Sequence, residues 1–274
     1  MIRKYILILV ACGLIAWPAT PANNFFHLMQ IEQVIGGVNG DTSAQAIQLR
    51  MRGAFECFIT SSRLLVRDAA GNNPILLIQF PGDVPGCMTG DRILITSPSF
   101  TSLLDNPITP DFTLTNLIPP SYLAAGSLTF EDFGGIVYWR LSWGGNAYTG
   151  DTTGTLDNDA DGEFSPNYQG PHPSASLQAL LFPGTATALS TNNQADYLLT
   201  KGASTWTNNA NNSGTLVEAN PCPWDLDGSG AVGTGDLLEL FAQWGTAGPA
   251  DFDESGAVGT NDLLILFANW GPCK

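Results

Sequence analysis

Two twelve-residue runs, starting at Asp225 and Asp251, carry oxygen-bearing side chains at positions 1, 3, 5 and 12. These are Asp225, Asp227, Ser229 and Asp236 in the first run, and Asp251, Asp253, Ser255 and Asp262 in the second. Position 6 is glycine in both, Gly230 and Gly256, where the chain must turn sharply; position 7 offers the backbone carbonyl of Ala231 or Ala257. Three carboxylates, a hydroxyl and a carbonyl in one loop are hard donors. They suit a cation that takes about six to eight oxygens at about 2.3–2.6 Å, which is the preference of calcium. Other chemistries have less material. The chain has two histidines, His27 and His172, too few for a His-rich zinc site and little for acid–base work at neutral pH.

The loops belong to a longer repeat. Residues 225–245 and 251–271 are two copies of one unit, displaced by 26 positions, and such a repeat decides the architecture of its segment. From position 12 onward, Leu237, Leu240, Phe241 and Trp244 recur at helical spacing and predict an amphipathic helix with these residues on its apolar face. An aspartate in the first turn favours the helix dipole, and Gly245 and Gly271 serve as stops. The position-8 valines, Val232 and Val258, are expected to pair the two loops with each other. Residues 222–274 hold eight acidic side chains against Lys274 alone, so without a cation this small segment repels itself.

One helix follows each loop and none precedes it. In this, residues 222–274 resemble a dockerin, flanking cysteines included. The resemblance implies a small α-helical domain with two calcium loops and a cohesin-like protein partner. It places the contact on the helices and on loop positions 10 and 11: Thr234, Gly235, Thr260 and Asn261. It also implies docking in two orientations. Position 9 is Gly233 or Gly259 where the family has Asp or Asn, and position 5 is Ser rather than Asp. Each loop therefore leans on water, and the expected affinity is about 10⁻⁴–10⁻³ M, that of extracellular modules.

Of the 274 residues, 25 are acidic and 10 basic, a net charge of −15. Such a surface repels phosphate backbones, so nucleic acid is excluded as a partner. Residues 1–22 read as a secretory leader: Arg3 and Lys4, an apolar stretch from Tyr5 to Trp17, then Thr20-Pro21-Ala22. The apolar stretch is shorter than the ~20 residues a bilayer span needs. Removal of the leader takes Cys12 and leaves four cysteines. Three pairings are open to them; Cys57 with Cys87 and Cys222 with Cys273 keeps each bridge within one candidate domain.

Residues 23–214 read as a mainly β domain, with 215–221 as a linker. Short apolar or alternating runs at Ala46–Arg52, Arg63–Arg67, Ile75–Phe80, Arg92–Thr96 and Ile136–Trp143 are separated by turn clusters such as Gly71-Asn-Asn-Pro74. A two-layer β-sandwich is the natural solution. With the strand Met29–Val34, Asn39-Gly-Asp41, Leu64–Asp68, Gly90–Thr96 and Ala125–Phe130, the region resembles the lamin-tail-like domains of secreted bacterial proteins, which are immunoglobulin-like sandwiches. Where that family favours Ile-Glu-Leu, this chain has Ile47-Gln48-Leu49.

Weaker signals remain. Asp157-Asn-Asp159-Ala-Asp161-Gly162 copies the front of a calcium loop, but its position 12 is Tyr168, so a solvated acidic turn is expected. His172 near Ser174 lacks a nucleophile elbow and reads as a loop residue; His27 reads as a packing residue. Glu131, Asp132 and Glu163 could serve a glycosidase, but no motif singles them out. Trp139 and Trp143 share a strand face, with core packing favoured over sugar stacking. The Asn-rich stretch near 192–212 reads as loops. The leading expectation is a secreted, non-catalytic display or binding protein with a calcium-dependent docking module. The alternative is a polysaccharide-degrading enzyme, or a carbohydrate-binding protein, carrying that module.

Overall fold

The computed structural model describes residues 26–190, 192–217 and 222–273. The expected leader, and residues 218–221 of the expected linker, lie outside these. The protein is mainly β-sheet with few helices. In chain order the β region contains β1 (Met29–Ile35), β2 (Ala46–Met51), β3 (Ser62–Arg67), β4 (Ile75–Gln79), β5 (Arg92–Thr96), β6 (Phe112–Thr113), β7 (Gly126–Asp132) and β8 (Val137–Trp143). Then follow β9 (Leu180–Leu181), the short helix α1 (Asn193–Asp196), β10 (Leu198–Leu199), β11 (Thr205–Thr207) and β12 (Ser213–Thr215). One sheet has the order β10-β9-β1-β2-β5-β6 and the other β4-β3-β7-β8.

The two sheets share one apolar core. Met29, Ile31, Ile47, Leu49, Ile93 and Ile95 from the first meet Leu64, Val66, Leu128, Phe130, Trp139 and Leu141 from the second. The alternation in β2 and β5 is the period-2 pattern of a strand with one face inward. In β1 it breaks: a register shift between Ile31 and Gln33 lets both Ile31 and Val34 reach the core, as a β-bulge does.

The other face of the first sheet carries a buried polar network beside a few apolar side chains. Glu32 is held by Arg50 at 2.8 Å and by Arg92 at 2.7 Å, and Gln48 donates to it at 2.8 Å. Later chain covers this network. Arg50 donates to the Gly184 carbonyl, Gln30 to that of Ala188 and Gln33 to that of Thr205, while the Thr207 N–H donates to Gln48. A buried carboxylate survives only with its charge paired and its lone pairs filled, and here both conditions hold.

The Asn-rich stretch departs from the loop reading. Residues 205–215 form the β11–β12 hairpin, and Trp206 packs edge-on to Phe100 at 5.2 Å in a second apolar cluster with Ile35, Leu94, Leu104 and Leu216. The β region thus continues through Leu216, two residues past the expected boundary. Asn208 and Asn209 are buried and donate to the carbonyls of Thr109, Gly86 and Arg92.

The C-terminal segment has its own small core of Val232, Leu240, Ala250, Val258 and Leu266 beside Cys222. Its elements are β13 (Ala231–Val232), α2 (Thr234–Ala242), α3 (Thr260–Ala268) and β14 (Gly271–Pro272). The position-8 valines do not pair with each other. Val232 pairs with Gly271, and Val258 bridges to Trp244. Each loop therefore lies against the segment leaving the other repeat's helix.

Both expected disulfides are formed, Cys57–Cys87 and Cys222–Cys273, with Cα–Cα distances of 5.0 and 5.4 Å. Such bridges are the mark of an oxidising environment. Among the described residues no helix is long and apolar enough to cross a membrane.

Candidate metal centre

The local chemistry of the repeat builds two nearly identical cages. In the first, Ser229 N–H donates to Asp225 and Asp227, each at 3.0 Å, and Gly230 N–H donates to Asp225 at 2.8 Å. In the second, Ser255 N–H donates to Asp251 and Asp253 at 3.0 and 3.1 Å, and Gly256 N–H to Asp251 at 2.9 Å. The turn requires positive φ at Gly230 (87°) and Gly256 (96°), a region that favours glycine. At position 4 the first loop again uses glycine, Gly228, whereas the second holds Glu254 at φ 54°.

Position 12 joins loop to helix. Asp236 is fully buried and accepts from Asp227 N–H at 3.0 Å and from Gly233 N–H at 2.6 Å. Asp262 does the same with Asp253 at 3.1 Å and Gly259 at 2.7 Å. Each aspartate thus caps its helix while closing its loop. Burial pushes the Asp236 carboxyl up, but the N–H donors of Asp227, Gly233 and Leu226 outweigh it and hold the group below the usual carboxylate range.

Each loop brings three carboxylates together: Asp225, Asp227 and Asp236 in one, Asp251, Asp253 and Asp262 in the other, with one oxygen from each within 4.8 Å of the others. That span is about twice a calcium–oxygen bond. The Ser229 hydroxyl donates to the Ala231 carbonyl at 3.1 Å, and Ser255 to Ala257 at 3.2 Å, so the position-5 and position-7 oxygens of each loop also neighbour one another. The arrangement could hold one hard divalent cation per loop.

Of the residues expected to meet a partner, Thr234 and Thr260 are exposed on the first turns of the helices. Gly235 and Asn261 are engaged by the loops themselves. A side chain at Gly235 would overlap the Asp227 carboxylate, and Asn261 donates to Asp253 at 3.1 Å. The helices and the residues just past their ends also carry apolar side chains that face water. Leu238, Phe241 and Trp244 are exposed, as are Leu264, Phe267 and Trp270; Leu238 is 69% and Leu264 61% accessible. Phe241 and Trp244 pack as tilted rings with centroids 5.7 Å apart, and so do Phe267 and Trp270. Sequence periodicity placed Phe241 and Trp244 on the inner face with Leu240. The missed signal was Leu237-Leu238 and Leu263-Leu264: adjacent leucines point to different helix faces, so the helix has two apolar stripes and only one can be buried.

Among the described residues of the β region, several of those weighed for alternative sites are taken up in packing or pairing. Trp139 and Trp143 are fully buried, their indoles donating to Tyr197 at 2.7 Å and to the Tyr122 carbonyl at 2.9 Å, so they are core and no sugar platform. Glu131 is locked between Arg63 and Arg67. His172 is buried edge-on to Trp143 at 4.6 Å, and burial pulls its imidazole down to about 4. His27 lies 3.9 Å from Glu56.

The acidic turn at 157–162 is solvated only in part: Asp157 and Asp161 are exposed. Asn158 and Asp159 are buried; Asn158 donates to the carbonyls of His27 and Tyr138, and its own amide oxygen receives Arg52. Asp159 accepts from the N–H groups of Asp161 and Glu163 at 3.0 and 3.3 Å. Asn158 thus pins the turn to the sandwich, while Asp159 braces the turn from within. No protein-family model, curated protein or solved structure matches this chain.

Proposed function

We propose that this is an exported protein whose C-terminal segment is a dockerin-like module that takes two calcium ions and docks onto a protein partner of the cohesin kind, while the β region serves display or binding without catalysis. The observation that carries the reading is the pair of three-carboxylate loops, each closed by the aspartate that caps its own helix. Calcium would tie loop to helix at Asp236 and Asp262 and neutralise carboxylates that repel one another. With the helices so fixed, the outward Leu238, Phe241, Trp244 and Leu264, Phe267, Trp270 stand as two apolar patches on equivalent surfaces. Exposed apolar patches rimmed by polar residues are the usual mark of a protein contact. Export is supported by the two disulfides and by the leader-like start of the sequence.

The test is calorimetric titration of the full chain with calcium, followed by binding to a cohesin panel in calcium and in chelator. Two ions per chain at about 10⁻⁴–10⁻³ M are expected, and Leu238→Asp with Leu264→Asp should abolish docking while leaving calcium uptake unchanged. Uptake of no calcium at millimolar concentration would overturn the reading.

A further inference from the structure

The two halves of the repeat are joined differently. Shifted by the 26-residue period, Cys222 falls on Gly248 and Cys273 on Ala247, and Ala247 and Gly248 are consecutive residues. The disulfide therefore sits where the other half has a peptide bond. The neighbouring contacts match: Asp225 N–H donates to the Cys222 carbonyl at 2.9 Å, and Asp251 N–H to the Gly248 carbonyl at 3.0 Å. We propose that the Cys222–Cys273 bridge replaces the missing chain link between the end of the second repeat and the start of the first, closing the module into a ring and positioning the first cation loop alone. This rests on the calcium reading above.

The bridge reaches the loop by two routes. Through Cys222 it fixes the approach to Asp225, position 1, and Cys273 Sγ itself packs 3.7 Å from an Asp225 carboxylate oxygen. Through Cys273 it anchors β14, which pairs Pro272 with Ala231, whose carbonyl is the position-7 donor, while Cys273 N–H donates to the Gly230 carbonyl at 3.0 Å. Without the bridge, only the short pairing with β13 and the Cys273 N–H bond to Gly230 would hold β14 to the first loop. The second loop has no such exposure. It is held by continuous backbone through Thr246, whose carbonyl accepts from Val258 N–H at 2.9 Å. A preorganised ligand set binds more tightly because less order is lost on binding, so the two loops should respond unequally to loss of the bridge. Cys222 and Cys273 are positioning residues.

The experiment is calcium calorimetry on the full chain, with Asp262→Ala silencing the second loop or Asp236→Ala the first, so that each affinity is read separately. Cys222→Ser with Cys273→Ser should weaken the first loop at least about tenfold and change the second less than about twofold, the difference that preorganisation predicts. The reciprocal variant inserts a short run of glycines between Ala247 and Gly248; it should weaken the second loop and leave the first, which the bridge still holds. Equal effects on both loops, or on neither, overturn the proposal. Should the serine variant fail to fold, the glycine insertion decides. Wild-type protein that takes up no calcium overturns the calcium reading, and this inference with it.

Discussion

Replacing Asp236 with alanine separates what the carboxylate does for the helix from what it does for an ion. Its two oxygens accept from Gly233 N–H and Asp227 N–H. Loss of a helix cap costs about 1 kcal/mol, and loss of a second charge-assisted hydrogen bond about 1.5–3 kcal/mol, so about 2.5–4 kcal/mol should be lost in chelator. On the proposed calcium reading, an ion adds a second component. At about 10 mM calcium and an affinity of about 10⁻⁴–10⁻³ M, a bound ion stabilises by about 1.4–2.7 kcal/mol, and that too should go. The variant should therefore lose about 4–6.5 kcal/mol in calcium. Hydrogen exchange followed by mass spectrometry on peptides from 222–273 reads the local opening free energy in each medium. Tryptophan fluorescence would not serve, because Trp139, Trp143 and Trp206 of the β region contribute to it. Equal losses in chelator and calcium would refute the ion; no loss in chelator would refute the capping argument. Asp236→Asn, which keeps one acceptor oxygen, should recover about half of the chelator loss.

Three further outcomes follow from the geometry. Burial holds His172 down to about 4, so the unfolded chain binds its proton first, and stability should fall as pH drops from about 6.5 to about 4, by at most about 3 kcal/mol; Asp159, pushed up to about 6 by burial and by facing Asp161, acts with the opposite sign, losing stability as pH rises through that range, so denaturant midpoints against pH should flatten on the acid side in His172→Asn and rise near neutrality in Asp159→Asn. Glu32→Ala leaves Arg50 and Arg92 uncompensated on a buried sheet face and should cost about 3–5 kcal/mol in equilibrium denaturation. Glu254→Gly copies the first repeat's solution at a positive-φ position and should stabilise the C-terminal segment by about 0.5–1 kcal/mol, read as slower exchange.

What the sequence made legible was what neighbouring residues determine. The spacing of Asp225, Asp227, Ser229, Gly230 and Asp236 predicts a loop closing onto a helix, because every contact needed spans only a few positions. Strands such as Ile75–Gln79 and Arg92–Thr96 were equally readable from their apolar runs. Features set by distant chain were not. Trp206 lies in an Asn- and Thr-rich stretch, and nothing local says that Phe100 will cover it. The acidic turn looked solvated because its burial comes from Arg52 and from carbonyls of His27 and Tyr138. The valines of the two loops were expected to pair together because they are equivalent by repeat. The observed pairing keeps that equivalence by exchange: each repeat lends its trailing segment to the other.

The covered polar face of the first sheet has a kinetic consequence. Its ties join residues separated by 134 positions, Arg50 to Gly184, and by 172, Gln33 to Thr205. Contacts of such high sequence separation slow folding, since the loop entropy is lost before the contacts form. A chain emerging N-terminus first leaves Arg50 uncovered until Gly184 has appeared, and Gln33 and Gln48 until Thr205 and Thr207, so the last stretch of the β region acts as a seal. Truncation ahead of Thr205 would leave the six-stranded layer permanently half open, a ready target for proteases and aggregation.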